Sequence, residues 1–417
     1  MRGPTLSTGS EIESVPTPSP QLSGSRNRLW QSLAELLALA AFLLALMFAI
    51  DICVVMLTGN GSQHRDFVSY WASGQLFVHH QNPYDADAIR RLELDQRYPA
   101  EHQVLIVRNP PSALVLVAPL GFVSYRAAAL LWSLLLVACW IVSVRMLWVM
   151  QGRPTQRFRV LGYSFPPRLV PLLFAPALMC MLAGQTGLFA LLGLVLFLRF
   201  HRSQPFLAGV ALWLCALKPH LFLPFAAVLL LWVIVTRSYP VLVGAILALA
   251  TSTAVALRVD PLAWAQYTQM MRTIGIEREF IPCLGIALRF AINPSATWLQ
   301  YVPAALGCIW AVWYYWSRRD HWDWLQHGPL LALVSMLVSP YAWVTDQVLA
   351  VPALMWAVHR TSRGILLPLA LASAAIEVAV LCNIYMHSAF YLWTAPAWLA
   401  WYLYAARYPD HADLASH

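Results

Sequence analysis

Apolar residues fill this chain in long blocks, and the lengths of those blocks set the first expectations. The block at 29–57 follows Arg26 and Arg28. It is long enough for one membrane crossing, because a hydrocarbon layer roughly 30 Å thick takes about 20 helical residues. It exceeds a signal-peptide core and has no clear cleavage site, so we read it as a retained first span. Three later blocks behave differently. Residues 169–200 turn at Gly184-Gln185-Thr186-Gly187, 205–235 turn at Lys218-Pro219-His220, and 329–358 turn at Tyr341-Ala342-Trp343-Val344-Thr345-Asp346. Each has about 30 residues where two full crossings need about 40. Their tips are therefore expected below the membrane surface. An ammonium, an amide and a carboxylate at that depth are costly unless they meet partners or line a wet cavity, so they mark a candidate site.

Composition supports the membrane reading. Hydrophobic residues make up 60% of the 417 and charged residues 11%, less than half the charged fraction of an ordinary soluble domain. The formal charge of +8 is scattered through short loops rather than gathered on one face, which reports orientation and argues against nucleic acid as a partner. Six of the seven cysteines, Cys53, Cys139, Cys180, Cys215, Cys308 and Cys382, lie in or beside apolar blocks, and Cys283 lies in a long loop. Their spacing gives neither a disulfide framework nor a metal-ligand set, so no metal or cofactor is assigned.

The polar segments complete the layout. Residues 1–25 are rich in Ser, Thr, Pro and Gly and read as a disordered cytoplasmic tail; 26–408 form the membrane domain and 409–417 a second tail. Basic residues recur at Arg145 to Arg168, His201-Arg202, Arg237, Arg318-Arg319 and His359 to Arg363. Placing all of them inside makes 127–149 a span and 110–123 a re-entrant or interfacial piece, within a first outer loop at 58–123. The expectation is an all-α bundle of about twelve spans with interfacial helices on the outer face. All three hairpin tips then face outward together with Asp66. Helical spacing in that outer loop puts Phe67, Trp71, Gly74 and Val78 on one face and Asp66, Ser69, Tyr70 and Ser73 on another. An interfacial helix would hold Asp66 and Tyr70, one turn apart, above the cavity; alternatively, Asp66 caps that helix.

Phosphate-binding Walker loops, Rossmann glycines and His-Glu-x-x-His helices are absent from the sequence. What the chain does carry, in order, is Asp66-Phe-Val-Ser-Tyr70-Trp-Ala, Asn82-Pro-Tyr-Asp85, Asn109-Pro-Pro-Ser, Gly184-Gln185-Thr, Leu217-Lys218-Pro-His220 and Ser339-Pro-Tyr-Ala-Trp-Val-Thr-Asp346. In this series the chain resembles glycosyltransferase family 87, from about residue 29 to the last span. The resemblance implies a membrane fold of the GT-C type and transfer of mannose, with inversion, from a polyprenyl phosphate carrier to a glycan or lipid acceptor on the outer face of the inner (plasma) membrane. It also places Asp66 where enzymes of this fold carry a catalytic base, and Lys218 where a lysine contacts lipid phosphate. Gln185 and His220 are candidate partners for sugar hydroxyls or the phosphate. Asp346 falls where family members carry an acidic or His residue near the donor pocket, although the His that frequently follows is missing. Tyr341 and Trp343 are candidate stacking surfaces for a sugar, or members of the interfacial aromatic belt. Arg272, Arg278 and Arg289 are further candidates for an anionic ligand. A transporter or lipid flippase remains the alternative, because intramembrane charges and broken helices suit it equally.

Overall fold

The structure is a computed structural model and describes residues 22–58, 65–100, 102–152, 158–160, 163–165, 171, 174–273, 279–360 and 366–407. Helices dominate these residues. The expected tails lie outside them, except that 22–25 already belong to the first helix, since beyond Pro20 no residue forbids helical backbone.

Helix α1 (Leu22–Thr58) is followed by α2 (Arg65–Val78) and α3 (Ala86–Asp95). A broken segment then runs through a 3₁₀ turn at Pro111–Ala113, the single turn α4 (Leu114–Val117) and a second 3₁₀ turn at Ala118–Phe122, before the long α5 (Tyr125–Met150). The strands β1 (Phe158–Val160) and β2 (Tyr163–Phe165) pair antiparallel, Phe158 opposite Phe165. This small hairpin departs from the all-α expectation. Its alternating aromatic and β-branched residues, with a glycine at 162 in the sequence, favour strands over a helix.

The three short hairpins follow. They are α6 (Ala175–Ala183) with α7 (Gly187–Phe200), then α8 (Pro205–Cys215) with α9 (Leu223–Thr236), and, after α10 (Tyr239–Val259), α11 (Ala263–Thr273), α12 (Leu284–Ile292) and α13 (Val302–Trp316), the pair α14 (Trp324–Leu337) and α15 (Val351–Arg360). Helices α16 (Leu366–Leu381) and α17 (Thr394–Arg407) close the described chain. Proline stands in the first turn of α6, α8, α9, α10 and α13, where its missing N–H costs no helical hydrogen bond. These prolines punctuate the apolar blocks and keep the hairpin arms short.

Among the described residues, four helical stretches are long and apolar enough to cross a membrane: Ser32–Val54, Tyr125–Met150, Pro219–Thr236 and Tyr239–Val259. Shorter apolar helices, including Gly187–Phe200, Pro205–Cys215 and Leu366–Leu381, pack among them. Segment Pro111–Phe122 is a shorter apolar helix of this kind, and a dozen helical residues reach only about 18 Å. It lies instead against α2. A Cβ on Gly74 would come within 2.5 Å of the Val117 carbonyl oxygen, and one on Gly121 within 2.3 Å of the Gly74 carbonyl oxygen, so these two backbones touch. Helices α8 and α10 meet in the same way through Gly209 and Gly244.

In α2, Ser69, Tyr70 and Ser73 of the polar face are as buried as Phe67 and Trp71. Phe67 and Trp71 pack on Tyr125 and Trp132 of α5, while Ser73 donates to the Pro83 carbonyl. Both sides of α2 therefore work as packing surfaces. At the opposite end of the molecule from the tips, Arg202 pairs with Asp323 at 3.2 Å and the Trp148 and His359 rings lie 4.9 Å apart. These contacts tie together loops that the sequence groups by their basic residues.

Candidate active site

Each tip is shaped by its local sequence and then fastened to its neighbours. Gly184 ends α6 in the left-handed region at φ 70°, with the N–H groups of Gly184 and Gln185 donating back to the Met181 and Cys180 carbonyls. Its carbonyl accepts from Trp132 Nε1 at 2.7 Å, which holds the tip against α5. Gln185 is thereby delivered to α2, where its Nε2 donates to Asp66 Oδ2 at 2.7 Å. At the second tip, Asn109 Nδ2 donates to the Leu217 carbonyl at 2.7 Å and fixes the residue before Lys218. At the third, Ser339 Oγ donates to the Tyr341 carbonyl at 2.8 Å and lies 3.1 Å from the His220 carbonyl, so one hydroxyl links two tips.

Lys218 joins the three tips. Its Nζ donates to Gln185 Oε1 at 2.7 Å and to Asp346 Oδ1 at 2.5 Å. The Lys218 side chain is 8% exposed and that of Asp346 fully buried. Asp346 Oδ2 accepts from the Trp343 backbone N–H at 2.9 Å, so the acid is held from both sides. An ion pair taken out of water persists only when its geometry is good and further hydrogen bonds satisfy the remaining lone pairs, and both conditions are met here.

These contacts also settle which way the Gln185 amide points. An ammonium can only donate, so the amide atom facing Lys218 must be the oxygen. Tyr70 Oη, 3.4 Å from the same oxygen, adds a second donor. Burial pushes the Tyr70 phenol above its ordinary range and keeps it a neutral donor. The amide nitrogen is left to face Asp66. Asp66, Gln185, Lys218 and Asp346 thus form one continuous hydrogen-bonded chain that draws on four separate parts of the sequence.

Of the residues singled out from sequence, Asp66, Tyr70, Gln185, Lys218 and Asp346 meet in this chain, and His220 and Tyr341 form the layer beside it. The His220 and Tyr341 rings are 5.1 Å apart. Tyr341 Oη accepts from Trp343 Nε1 at 2.8 Å and from Arg108 Nη1 at 3.2 Å, while Arg108 Nη2 pairs with Glu279 at 2.7 Å. Of the outer-loop arginines, Arg289 is buried and donates to Gln300 at 2.8 Å, Arg272 is exposed at the end of α11, and Arg278 lies outside the described residues.

Three contributors escaped the sequence reading. Asn109 stood inside a noted motif, but its job as a brace for the Lys218 tip needs a contact across the fold. Arg108 is its sequence neighbour. Glu279 had no local signal at all. The motif Asn82-Pro-Tyr-Asp85 also gains a structural meaning, since Asn82 Oδ1 accepts from the Tyr84 N–H and Asp85 caps α3. Among the described residues, no three His, Cys, Asp or Glu side chains gather as a metal-ligand set.

Comparison with known proteins adds one result. No curated protein and no solved structure matches the chain. The family model for glycosyltransferase family 87 matches residues 108–340, more than half of the sequence. That stretch contains Gln185, Lys218 and His220, and the fold brings to it Asp66 and Tyr70 from before the match and Tyr341 and Asp346 from after it. The chain belongs to glycosyltransferase family 87 and is a membrane glycosyltransferase.

Proposed function

We propose that the protein transfers a hexose, specifically mannose, from a polyprenyl-phosphate-linked donor to a glycan or lipid acceptor at the outer face of the inner (plasma) membrane, with inversion at the anomeric carbon. The observation that carries this reading is the chain of contacts from Asp66 through Gln185 and Lys218 to Asp346, set at the tips of hairpins too short to cross twice. It holds a carboxylate and an ammonium in one site, and the reaction calls for both.

As the acceptor hydroxyl oxygen forms its bond to C1 of the sugar, its proton passes to Asp66. The bond between C1 and the phosphate oxygen breaks, and polyprenyl phosphate leaves with that electron pair. A placed carboxylate base contributes about 10²–10⁴ in rate to such a step. The leaving group is already an anion and needs a cation rather than an acid. Lys218 has three N–H donors, of which two go to Gln185 and Asp346; the third is the one we assign to the phosphate. Tyr70, His220 and Tyr341 line the space for the sugar.

In this reading the four long apolar helices and the shorter paired ones complete a GT-C-type bundle of about twelve spans, with the tips outside and the basic loops inside. The donor enters laterally from the bilayer, and the acceptor approaches Asp66 from the outer side.

The test is incubation of the purified protein with radiolabelled polyprenyl-phosphate-mannose and a membrane lipid extract. Label should appear in a new lipid or glycan with the wild type and not with Asp66→Asn. Movement of labelled donor across vesicles without any new product would favour the transporter reading instead.

A further inference from the structure

We propose that Gln185 is a positioning residue for Asp66 rather than a substrate contact, and that the Lys218–Asp346 pair sets its amide. The inference rests on the reading of Asp66 as the base, and it adds a coupling between the base and the cation of the site. Gln185 uses both ends of its amide inside the protein, its Nε2 on Asp66 Oδ2 and its Oε1 on Lys218 Nζ, each at 2.7 Å. Gly184 and Trp132 hold the backbone that carries it. Asp346 holds Lys218 in turn, and the Trp343 N–H holds Asp346.

The logic of the amide is directional. With Lys218 in place, the oxygen must face the ammonium and the nitrogen must face the carboxylate. Without Lys218, the amide oxygen keeps only Tyr70, at a longer 3.4 Å, and the direction rests on that contact and on Asp66 itself. An amide that turned over would set its oxygen against Asp66, acceptor against acceptor. Anything that draws Lys218 away from Gln185 therefore weakens the grip on the base, and a donor phosphate seated on the ammonium lies within reach of that switch. Tyr70, on the same helix as Asp66, feels the charges of Asp66, Lys218 and Asp346 together, so these titratable groups share one electrostatic neighbourhood.

The experiment reads Asp66 directly. Infrared titration of the purified full chain should show a protonated-carboxyl band that is lost in Asp66→Asn. Gln185→Met keeps the side-chain volume and removes the donor, and Gln185→Glu keeps the acceptor for Lys218 and replaces the donor by a second acid. Both should move the midpoint of that band upward, Gln185→Met by about one pH unit, because a hydrogen bond to an ionised carboxylate favours the charged form. Lys218→Met should also raise it, through lost charge as well as lost positioning. The part carried by Gln185 is isolated by repeating Lys218→Met in the Gln185→Met background, where the shift should be smaller. Turnover in Gln185→Met should fall about tenfold or more, with donor affinity and acceptor KM within twofold of the wild type.

An unmoved band in both Gln185 variants, additive shifts for Gln185 and Lys218, or a raised KM with kcat intact would each overturn the proposal. The band is readable without substrate. Absence of sugar transfer from any donor would count against the proposed reaction, whereas the infrared shifts would still decide whether Gln185 positions Asp66.

Discussion

Gly184 approaches Phe67 so closely that a Cβ added to it would lie 2.7 Å from Phe67 Cβ and 3.3 Å from the Phe67 nitrogen. The contact joins the first hairpin tip to the first turn of α2. It explains how Gln185 reaches Asp66 across 119 positions of sequence: the glycine allows the left-handed turn and also lets the two backbones close together. Gly184→Ala meets both obstacles. The left-handed conformation costs a non-glycine residue roughly 1 kcal/mol or more, and the new methyl group must push the tip away from α2. We expect a lowered thermal midpoint and at least a tenfold loss of transfer. Gly152→Ala supplies the control, since Gly152 has φ 75° but nothing within 4 Å of its added Cβ. It should lose stability while keeping activity. Equal activity losses in the two variants would mean that the approach to Phe67 does not matter.

Asp66→Asn should abolish turnover and spare donor binding. The amide preserves the shape of the side chain but cannot accept a proton at neutral pH, so a drop of about 10²-fold or more is expected. Single-turnover measurements with labelled donor separate chemistry from binding. A variant that retains more than about a tenth of the wild-type rate removes Asp66 from the role of base.

The buried pair Lys218–Asp346 makes a prediction about stability that is independent of substrate. Removing one member leaves the other charge unpaired away from water, a loss of about 3–5 kcal/mol in comparable pairs. Lys218→Met and Asp346→Leu should each destabilise the protein strongly in denaturant titrations in detergent. The double variant should be more stable than the sum of the two losses allows, because no charge remains stranded. Strict additivity would show that the two side chains do not depend on one another. For binding, Lys218→Arg should keep part of the donor affinity and Lys218→Ala should lose it, as expected of a cation on a phosphate. Identical dissociation constants for the three proteins would place Lys218 outside the donor site.

Several members of this candidate site were legible in the sequence, for a definite reason. A charge on a hairpin too short to cross a membrane has few places to go, so Lys218 and Asp346 stood out by position alone. Family resemblance then selected Asp66. The sequence could not say which polar tip meets which, since Gln185 is an ordinary turn residue until Asp66 and Lys218 stand on either side of it. Glu279 reaches Arg108 from 171 positions away and follows no local pattern. The spacing of Ser69, Tyr70 and Ser73 shows that they share a face of α2, but nothing local shows which elements cover it. The small strand pair at 158–165 escaped because its residues sit in a loop rich in arginine, where charge rather than alternation drew the reading.

Sidedness is the remaining link between site and function. The tips carrying Gln185, Lys218 and Asp346 sit at one end of the bundle, and the Arg202–Asp323 pair and the Trp148–His359 contact sit at the other. Basic residues are retained on the cytoplasmic side during insertion, so the proposed reading has the basic end inside and the site outside. Asp87 and Ser203 are both exposed and lie toward opposite ends. Cysteines placed singly at these positions in a Cys-free chain should differ in intact cells: Asp87→Cys should react with a membrane-impermeant thiol reagent, and Ser203→Cys should react only after the membrane is opened. The reverse pattern would turn the protein over and put donor and acceptor in the cytoplasm. Labelling of both from outside would break the single-orientation topology on which the proposed reaction depends.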